Sequence, residues 1–399
     1  MASVLRVGVV GLGVASTQIL PFIEKLPFVK VTAAADVRKD AVEGFKSRYQ
    51  AEGFHSIEDL CRSPNVDVVY ICTPNHLHAE HVCLAAENRK HIIVEKPMAL
   101  SMEECEAMNQ AVERHGVKLL CGHTHSFDPP IQKMGEIVQS GELGRLMMIH
   151  AWDYTDFMYR PRMPHELDTK RGGGAVFIQG PHHVDIVRQI AGRELRNVRG
   201  MTGRWDESRP TEGSYVAYLE FVDGTPATIV YNGYGHFDTA ELHYWVGEGG
   251  EDRDPETNFK VRKSLKEVAD ESGLKEAMRF GGAREGQWLG AHGGGKELRQ
   301  PFFGIVLVSC EKGDIRQSPE GLFIYGNEGK REIITPQGSN PRKAEITELY
   351  EAIVNDRPVF HDGRWGQATL EVCLAIYDSA RVRREILLSQ QTSSRRGAA

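Results

Sequence analysis

The 399-residue chain has no run approaching ~18 consecutive apolar residues, so it offers no candidate membrane span. It has no excess of positive charge. Its 48 Lys and Arg against 55 Asp and Glu leave a net charge of −7, which gives a nucleic-acid-binding face no bulk electrostatic basis. It has no Cys-x-x-Cys pair. Its seven cysteines are odd in number and scattered, which excludes a disulfide framework and a zinc ribbon and points to a reducing, cytoplasmic compartment. Internal repeats are absent. Val4–Val10 lacks a basic leader, and Gly11 and Gly13 stand where a cleavage site would fall, so this stretch reads as a first strand and not as a signal. With 41% apolar and 26% charged residues the composition is that of a globular protein, and the length bounds two to three domains.

Residues 1–124 alternate between two periodicities. Apolar runs at Leu5–Val10, Val29–Ala35, Val66–Cys72, His91–Glu95 and Val117–Cys121 are separated by helix-like segments. Ser56-Ile-Glu-Asp59 and Ser101-Met-Glu-Glu104 read as capping boxes, and Gly116 as a helix stop. Such alternation predicts an α/β domain, a doubly wound parallel sheet of the Rossmann type. After residue 125 the pattern changes. Asp128–Ser140 predicts one helix, and Tyr215–Val222 and Thr225–Tyr231 flank the hairpin signal Asp223-Gly224. Phe303–Glu311 and Gly321–Tyr325 read as further strands, and Pro341–Asp356 and Trp365–Glu385 as closing helices. This predicts an α+β domain over 125–388 with an open, mostly antiparallel sheet for substrate binding and oligomerisation. A charged, Gly-rich insertion at about 248–299, with one helical piece near Leu265–Phe280, and a disordered tail over 389–399 complete the reading.

Gly11-Leu-Gly13-Val14-Ala15-Ser16 follows a strand and opens a helix. The first glycine serves a tight turn, the second lets backbone approach a pyrophosphate, and free helix amides hold the anion. Ser16 replaces the usual third glycine. Asp36 lies 36 − 16 = 20 residues on, the interval expected of a ribose-binding acid. It favours NAD, whereas Arg38 could hold the 2′-phosphate of NADP. Ile92-Ile-Val-Glu95-Lys96-Pro97 sets a lysine at the carboxyl end of a buried strand, the edge where open α/β sheets bind ligands. A lysine partly withdrawn from water there can act as a general base, and Pro97 invites a cis bond.

These motifs, with Thr73-Pro-Asn75-His-Leu-His78, Phe127-Asp128-Pro129 and Gly172-Gly-Gly174 through Gly180-Pro-His182-His183-Val-Asp185, resemble the glucose–fructose oxidoreductase / inositol dehydrogenase / rhizopine catabolism (Gfo/Idh/MocA) family. The resemblance implies that Lys96 is catalytic, with His182 its partner. It also implies that Thr73, Asn75, His78 and Glu95 lie along the cofactor. Two departures stand out. Ile178 occupies the place of an Asp four residues before the His, and His123-Thr-His125-Ser126 replaces an Arg-rich segment. Both argue against an ordinary sugar substrate.

Seven of the sixteen histidines cluster at 76/78/81, 123/125 and 182/183, without Cys or carboxylate partners at metal spacing, so no metal is expected. His123, His125, His183, Gln179 and Asp185 read as substrate-binding groups. So does the cationic stretch Arg160, Arg162, His165, Lys170 and Arg171, where Arg can grip carboxylates. Arg209-Pro-Thr-Glu-Gly213, Ser309 to Ser318 and His361-Asp-Gly-Arg-Trp-Gly366 are similar to family members that act on carboxylated cis-dihydrodiols. That similarity implies NAD(P)-dependent oxidation of an anionic cyclic diol to a dihydroxyphthalate-like product. A homo-oligomer, dimer or tetramer, is expected. The competing readings are a sugar or cyclitol dehydrogenase, a hydrolase or lyase with recycled NAD, and a non-catalytic NAD-binding protein.

Overall fold

A computed structural model describes residues 4–287, 298–336 and 341–392. The chain divides into two compact units. One comprises Met1–His123, Ser272–Gln287 and Arg342–Leu370; the other comprises Thr124–Glu271, Trp288–Pro341 and Glu371–Ala399. The second unit is therefore not the single stretch 125–388, because two later segments fold with the first.

The first unit is built on six parallel strands: β1 (Leu5–Val10), β2 (Val29–Ala35), β3 (Glu52–Phe54), β4 (Val68–Ile71), β5 (His91–Glu95) and β6 (Leu119–Gly122), in the order β3-β2-β1-β4-β5-β6. This is the doubly wound sheet that the alternation implies. Its helices are α1 (Val14–Ile23), α2 (Lys39–Tyr49), α3 (Ile57–Arg62), α4 (His78–Glu87) and α5 (Met102–His115). At the start of α5, Ser101 and Glu104 form a reciprocal capping box, and Gly116 closes the helix at φ 65°. Ser56 caps α3 through the Asp59 amide at 3.2 Å, but the shorter Asp59 returns its bond to the Ser56 hydroxyl, so the box is incomplete. β3 escapes the sequence reading because it is three residues long with no apolar run.

Segment 272–287 was expected to lie in an excursion from the second domain. It instead packs on α2: Phe280 is buried against Phe45 at 5.7 Å between ring centroids, and Arg48 lies 4.4 Å over its ring while pairing with Glu285. Burying one such phenylalanine is worth roughly 2–3 kcal/mol. The helices there are α9 (Thr257–Glu267) and α10 (Glu271–Ala277), a break that the single expected piece at Leu265–Phe280 misses. Residues 288–297 of that stretch lie outside the described residues.

The second unit carries α6 (Pro129–Ser140), α7 (Ala175–Ile178) and α8 (Gly180–Ala191) beside a nine-stranded sheet. The strands are β7 (Leu146–Tyr154), β8 (Leu195–Gly203), β9 (Ser214–Phe221), β10 (Pro226–Asn232), β11 (Ile305–Cys310), β12 (Gly313–Gln317), β13 (Gly321–Gly326), β14 (Gly329–Ile334) and β15 (Ile386–Leu387), in the order β14-β13-β12-β11-β7-β10-β9-β8-β15. Among the described residues β7 and β10 are the one parallel pair of this sheet. Burial alternates along β9 and β10, so one sheet face is covered. Every residue of α8 is buried. The closing helices are α11 (Pro341–Val354) and α12 (Gly363–Val382). Ser389, Gln390 and Gln391 bond to Glu371, and Thr392 accepts from Arg188, so the expected frayed tail is anchored this far. Residues 393–399 lie outside the described ones.

Candidate functional site

The β1–α1 turn is shaped for a dinucleotide. Gly11 sits at φ 90°, and a Cβ there would lie 2.8 Å from the Cys72 carbonyl oxygen, so only glycine fits. A Cβ on Gly13 would meet nothing within 4 Å, which leaves open space beside the backbone. Gly13 caps α1 without any side-chain bond, so no side chain competes for the first amides, Val14, Ala15 and Ser16 among them. Ser16 is buried and donates to the Gly13 carbonyl at 2.8 Å, which ties the turn to the helix. Asp36 reaches back from the end of β2: Oδ2 accepts from the Leu12 amide at 2.7 Å, and Oδ1 accepts from the Arg38 amide at 2.8 Å and from its Nε at 3.2 Å. Arg38 in turn donates to the Leu12 carbonyl at 2.5 Å. Turn, acid and arginine thus form one closed set. These residues fit the pyrophosphate and ribose of a nicotinamide dinucleotide.

The ends of β4 and β5 are joined by His78. It is fully buried, with Nδ1 2.8 Å from the Pro97 carbonyl and Nε2 2.9 Å from the Thr73 carbonyl. It therefore holds the loop that precedes it to the Lys96-Pro97 segment, and it has no surface left to line a cofactor. Burial pushes its basicity down, opposed by the two carbonyls. Thr73 bonds His81 at 3.0 Å, and Asn75 opens a short 3-10 turn, Asn75–Leu77. The Lys96–Pro97 bond is cis, and Lys96 is half-buried.

Glu95 turns away from the expected cofactor role. Its carboxylate takes Arg342 of α11 at 2.7 Å and the Tyr70 hydroxyl at 3.2 Å, in a buried set completed by Glu345. Burial lifts the Glu345 carboxyl to about 7, with Arg342 opposing and Glu95 adding to the rise. Arg342 and Glu345 lie about 250 residues downstream of Glu95, and no local pattern announces them.

In the second unit, the 3-10 turn Thr124–Phe127 and α8 bring three imidazoles around Phe303. The ring centroids of His125, His182 and His183 lie 4.7, 4.9 and 5.0 Å from that of Phe303, and His125 meets His182 edge-on at 4.7 Å. His183 is fully buried with Nδ1 2.8 Å from the Tyr215 hydroxyl, and burial drives its pKa down to about 3. It is a neutral core group, which corrects its expected substrate role. His125 Nδ1 lies 2.9 Å from Asp128 Oδ2. Asp128 is buried and pushed up to about 6 by that burial, with His125 opposing. Asp128 hides from sequence reading because an acid before Pro-Pro reads as a helix cap, yet it makes no cap bond. Gln179 donates to the Tyr231 hydroxyl at 3.1 Å, and Asp185 is buried on α8. His123 is buried at the end of β6 in the first unit.

The cationic stretch is largely engaged within its own unit. Arg162 is buried with its guanidinium 3.7 Å over the Phe157 ring, donates to the Phe157 carbonyl at 2.6 Å and pairs with Glu166 at 3.4 Å. It is a structural arginine, not a carboxylate ligand. Arg160 donates to Asp156 at 2.9 Å and Thr155 at 3.0 Å, and lies 3.5 Å from Glu248. Burial works against the charge of Asp156, but Arg160 and Arg253 together hold it at about 2. Among the described residues Nη1 of Arg160 takes no hydrogen bond, so one edge of its fork remains. His165 is half-buried, and Lys170 and Arg171 are exposed. Among the described residues no group of His, Cys, Asp and Glu is arranged to hold a metal, and no helix is long and apolar enough to cross a membrane.

Comparison with known proteins gives the family. Residues 5–123 match the oxidoreductase family described by its NAD-binding Rossmann fold, and residues 131–247 match the Gfo/Idh/MocA C-terminal domain. The 1-carboxy-3-chloro-3,4-dihydroxycyclohexa-1,5-diene dehydrogenase of Comamonas testosteroni is 39% identical over 94% of this chain and 95% of its own. The myo-inositol 2-dehydrogenase of Thermotoga maritima is 29% identical over 49% of this chain and 57% of its own. A solved structure from Bordetella bronchiseptica RB50 superposes with a TM-score of 0.90 at 41% identity, over 96% of this chain and 100% of that one. With both of its units matched, the chain belongs to the Gfo/Idh/MocA family of NAD-binding oxidoreductases.

Proposed function

We propose that the enzyme oxidises a ring hydroxyl of a carboxylated cyclic cis-diol, with phthalate cis-4,5-dihydrodiol to 4,5-dihydroxyphthalate as the specific case. The observation that carries this is the 39% identity, over 94% of this chain, to a dehydrogenase named for a carboxylated dihydroxycyclohexadiene. Bound NAD supplies the hydride acceptor. Lys96 takes the hydroxyl proton, with His182 as its partner, and the product ketone tautomerises to a catechol. Aromatisation makes the reaction downhill, so the protein supplies chiefly positioning. Asp36 and its committed partner Arg38 support NAD over NADP, because neither leaves a free cation for a 2′-phosphate. The remaining edge of Arg160, and Lys170, are the groups we assign to the substrate carboxylates.

The seven cysteines, which form no disulfide among the described residues, support a reducing, cytoplasmic setting. Met201, Val216 and Tyr218, exposed on one sheet face, support a homo-oligomer.

The test is a panel of carboxylated dihydrodiols, uncharged dihydrodiols, inositols and sugars, each with NAD and NADP, followed at the reduced-nicotinamide absorbance. Carboxylated diols with NAD should lead. Lys96→Ala should lower turnover by about 10²–10⁴-fold with the fold retained. Inositols or sugars turning over as well as carboxylated diols would move the assignment to a cyclitol or sugar dehydrogenase. Substrate conversion without net nicotinamide reduction would move it to a lyase or hydrolase.

A further inference from the structure

Lys96 stands where the sheet stops holding the chain. Among the described residues the ladder to β4 ends at the pair Ile71–Val94, and the ladder to β6 ends at Glu95–Gly122. Lys96 is the next residue, so strand pairing alone does not set the direction in which it leaves the sheet. A general base must nonetheless be held close to its proton, and an error of about 1 Å can cost ~100-fold in rate.

Buried side chains hold the residues on either side of it. On one side, His78 Nδ1 lies 2.8 Å from the Pro97 carbonyl. On the other, Arg342 donates to Oε1 of Glu95 at 2.7 Å, and the Tyr70 hydroxyl lies 3.2 Å from the same oxygen. Glu345, one helical turn from Arg342 on α11, lies 3.2 Å from its guanidinium and 3.0 Å from the Tyr70 hydroxyl. A Cβ on Gly122 would stand 3.1 Å from the Glu345 carboxylate, so the glycine that ends β6 makes room for it. The set thus spans the carboxyl ends of β4, β5 and β6, and every residue in it belongs to the first unit. Tyr70 has one proton for two carboxylates. Burial pushes the Glu345 carboxyl up toward its neutral form, in which it donates to the Tyr70 oxygen and leaves the Tyr70 proton and the Arg342 charge to Glu95.

We propose that Arg342 is a positioning residue for Lys96. It acts through Glu95: the charge-assisted bond at 2.7 Å fixes the last residue of β5, and Lys96 is joined directly to that residue. The proposal rests on the reading of Lys96 as the proton acceptor. In this role Arg342 transfers no proton. Without it Lys96 keeps its chemistry but loses its fixed mount, so fewer approaches to the substrate hydroxyl are productive. Turnover then falls without a matching loss of NAD or substrate binding.

The experiment is steady-state kinetics of the full chain with NAD and the fastest substrate of the panel, protiated and deuterated at the carbinol carbon. NADH titration by fluorescence counts the folded sites, and kcat is taken per folded site. Arg342→Met removes the bond to Glu95 and keeps most of the stem. Its kcat should fall about 30–100-fold, with both Michaelis constants within about threefold of wild type. The isotope effect on kcat should be at least as large as in wild type, because the loss lies in the chemical step. Arg342→Lys returns a cation to Glu95 and should recover part of the loss. If Arg342→Met binds no NADH, the triple variant Arg342→Met, Glu95→Gln, Glu345→Gln, which leaves no buried carboxylate without a cation, takes its place with the same expectation. A wild-type kcat per folded site, a loss confined to the Michaelis constants, a smaller isotope effect, or a folded Arg342→Lys no faster than Arg342→Met overturns the positioning role while the Lys96 reading stands. Near-normal turnover in Lys96→Ala, or no NAD reduction by wild type with any substrate of the panel, overturns both.

Discussion

The buried set at the end of β5 makes a definite demand on stability. Glu95 and Glu345 share one cation, Arg342, and one hydroxyl, Tyr70. Two buried carboxylates on one guanidinium leave a surplus negative charge, and burial lifts the Glu345 carboxyl from 4.5 to about 7. A carboxyl with a raised pKa binds its proton more tightly in the folded than in the unfolded state. Below pH 4.5 it is protonated in both and contributes nothing. As pH rises from 4.5 to 7 the unfolded chain sheds the proton while the folded chain keeps it, so stability falls, and the full penalty is present above 7. The difference, 7 − 4.5 = 2.5 pH units, corresponds to at most about 3.4 kcal/mol. Sharing of the proton with Glu95 makes about 1–3 kcal/mol the expected size. Glu345→Gln keeps a donor and an acceptor for Tyr70 and Arg342 and removes the surplus charge. It should therefore gain about 1–3 kcal/mol on wild type between pH 5 and pH 8. Hydrogen exchange of the β4, β5 and β6 amides under EX2 conditions measures this locally. A wild type–variant difference that is the same at both pH values, or a variant less protected at pH 8, refutes the reasoning.

Asp36→Ala removes the acceptor of the Leu12 amide and frees Arg38. Titration of NADH and NADPH fluorescence should show weaker NADH binding and a ratio shifted at least about tenfold toward NADPH, roughly 1.4 kcal/mol. A wild type that already prefers NADPH tenfold would show instead that Arg38 governs the choice. Arg162→Met should cost about 2–4 kcal/mol of stability in urea unfolding, because Glu166 and the Phe157 carbonyl lose a buried cation. It should leave the Michaelis constants for charged and uncharged diols in their wild-type ratio. A selective rise for the carboxylated diol would return Arg162 to the substrate site.

What could be read from sequence is what rests on local rules. The strands β1, β2 and β5 fall on the runs Leu5–Val10, Val29–Ala35 and His91–Glu95 because parallel strands buried on both faces are predominantly apolar, with single polar interruptions such as Arg6 and Lys30. The hairpin β9–β10 turns at Asp223-Gly224, where Gly224 takes φ 85° and Asp223 accepts from the Thr225 amide at 3.1 Å. Strands with one covered face were harder. β8 and β12 interleave Arg, Asn and Asp with apolar residues, and β14 carries Lys330, Arg331 and Glu332 in sequence, so neither length nor run betrays them.

The errors at the site have a common physical source. A motif gives residue type and spacing along the chain, whereas a charged side chain is assigned by whatever the fold brings to it. Arg162 looked available for a carboxylate and is enclosed by Phe157 and Glu166; Glu95 looked like a cofactor ligand and is bound by an arginine from α11. In both cases burial decides, since a buried charge must find an opposite charge inside the protein or lose its ionisation. The same rule is what makes Asp128 informative. It has a single imidazole and no cation on it, so its carboxyl is raised toward neutrality instead of being silenced. A fully paired buried charge, such as Asp156 between Arg160 and Arg253, is fixed in one state at any working pH. A half-paired one, such as Asp128 with His125 on one oxygen, is instead pushed up to about 6 by its burial, within the range where its charge can change.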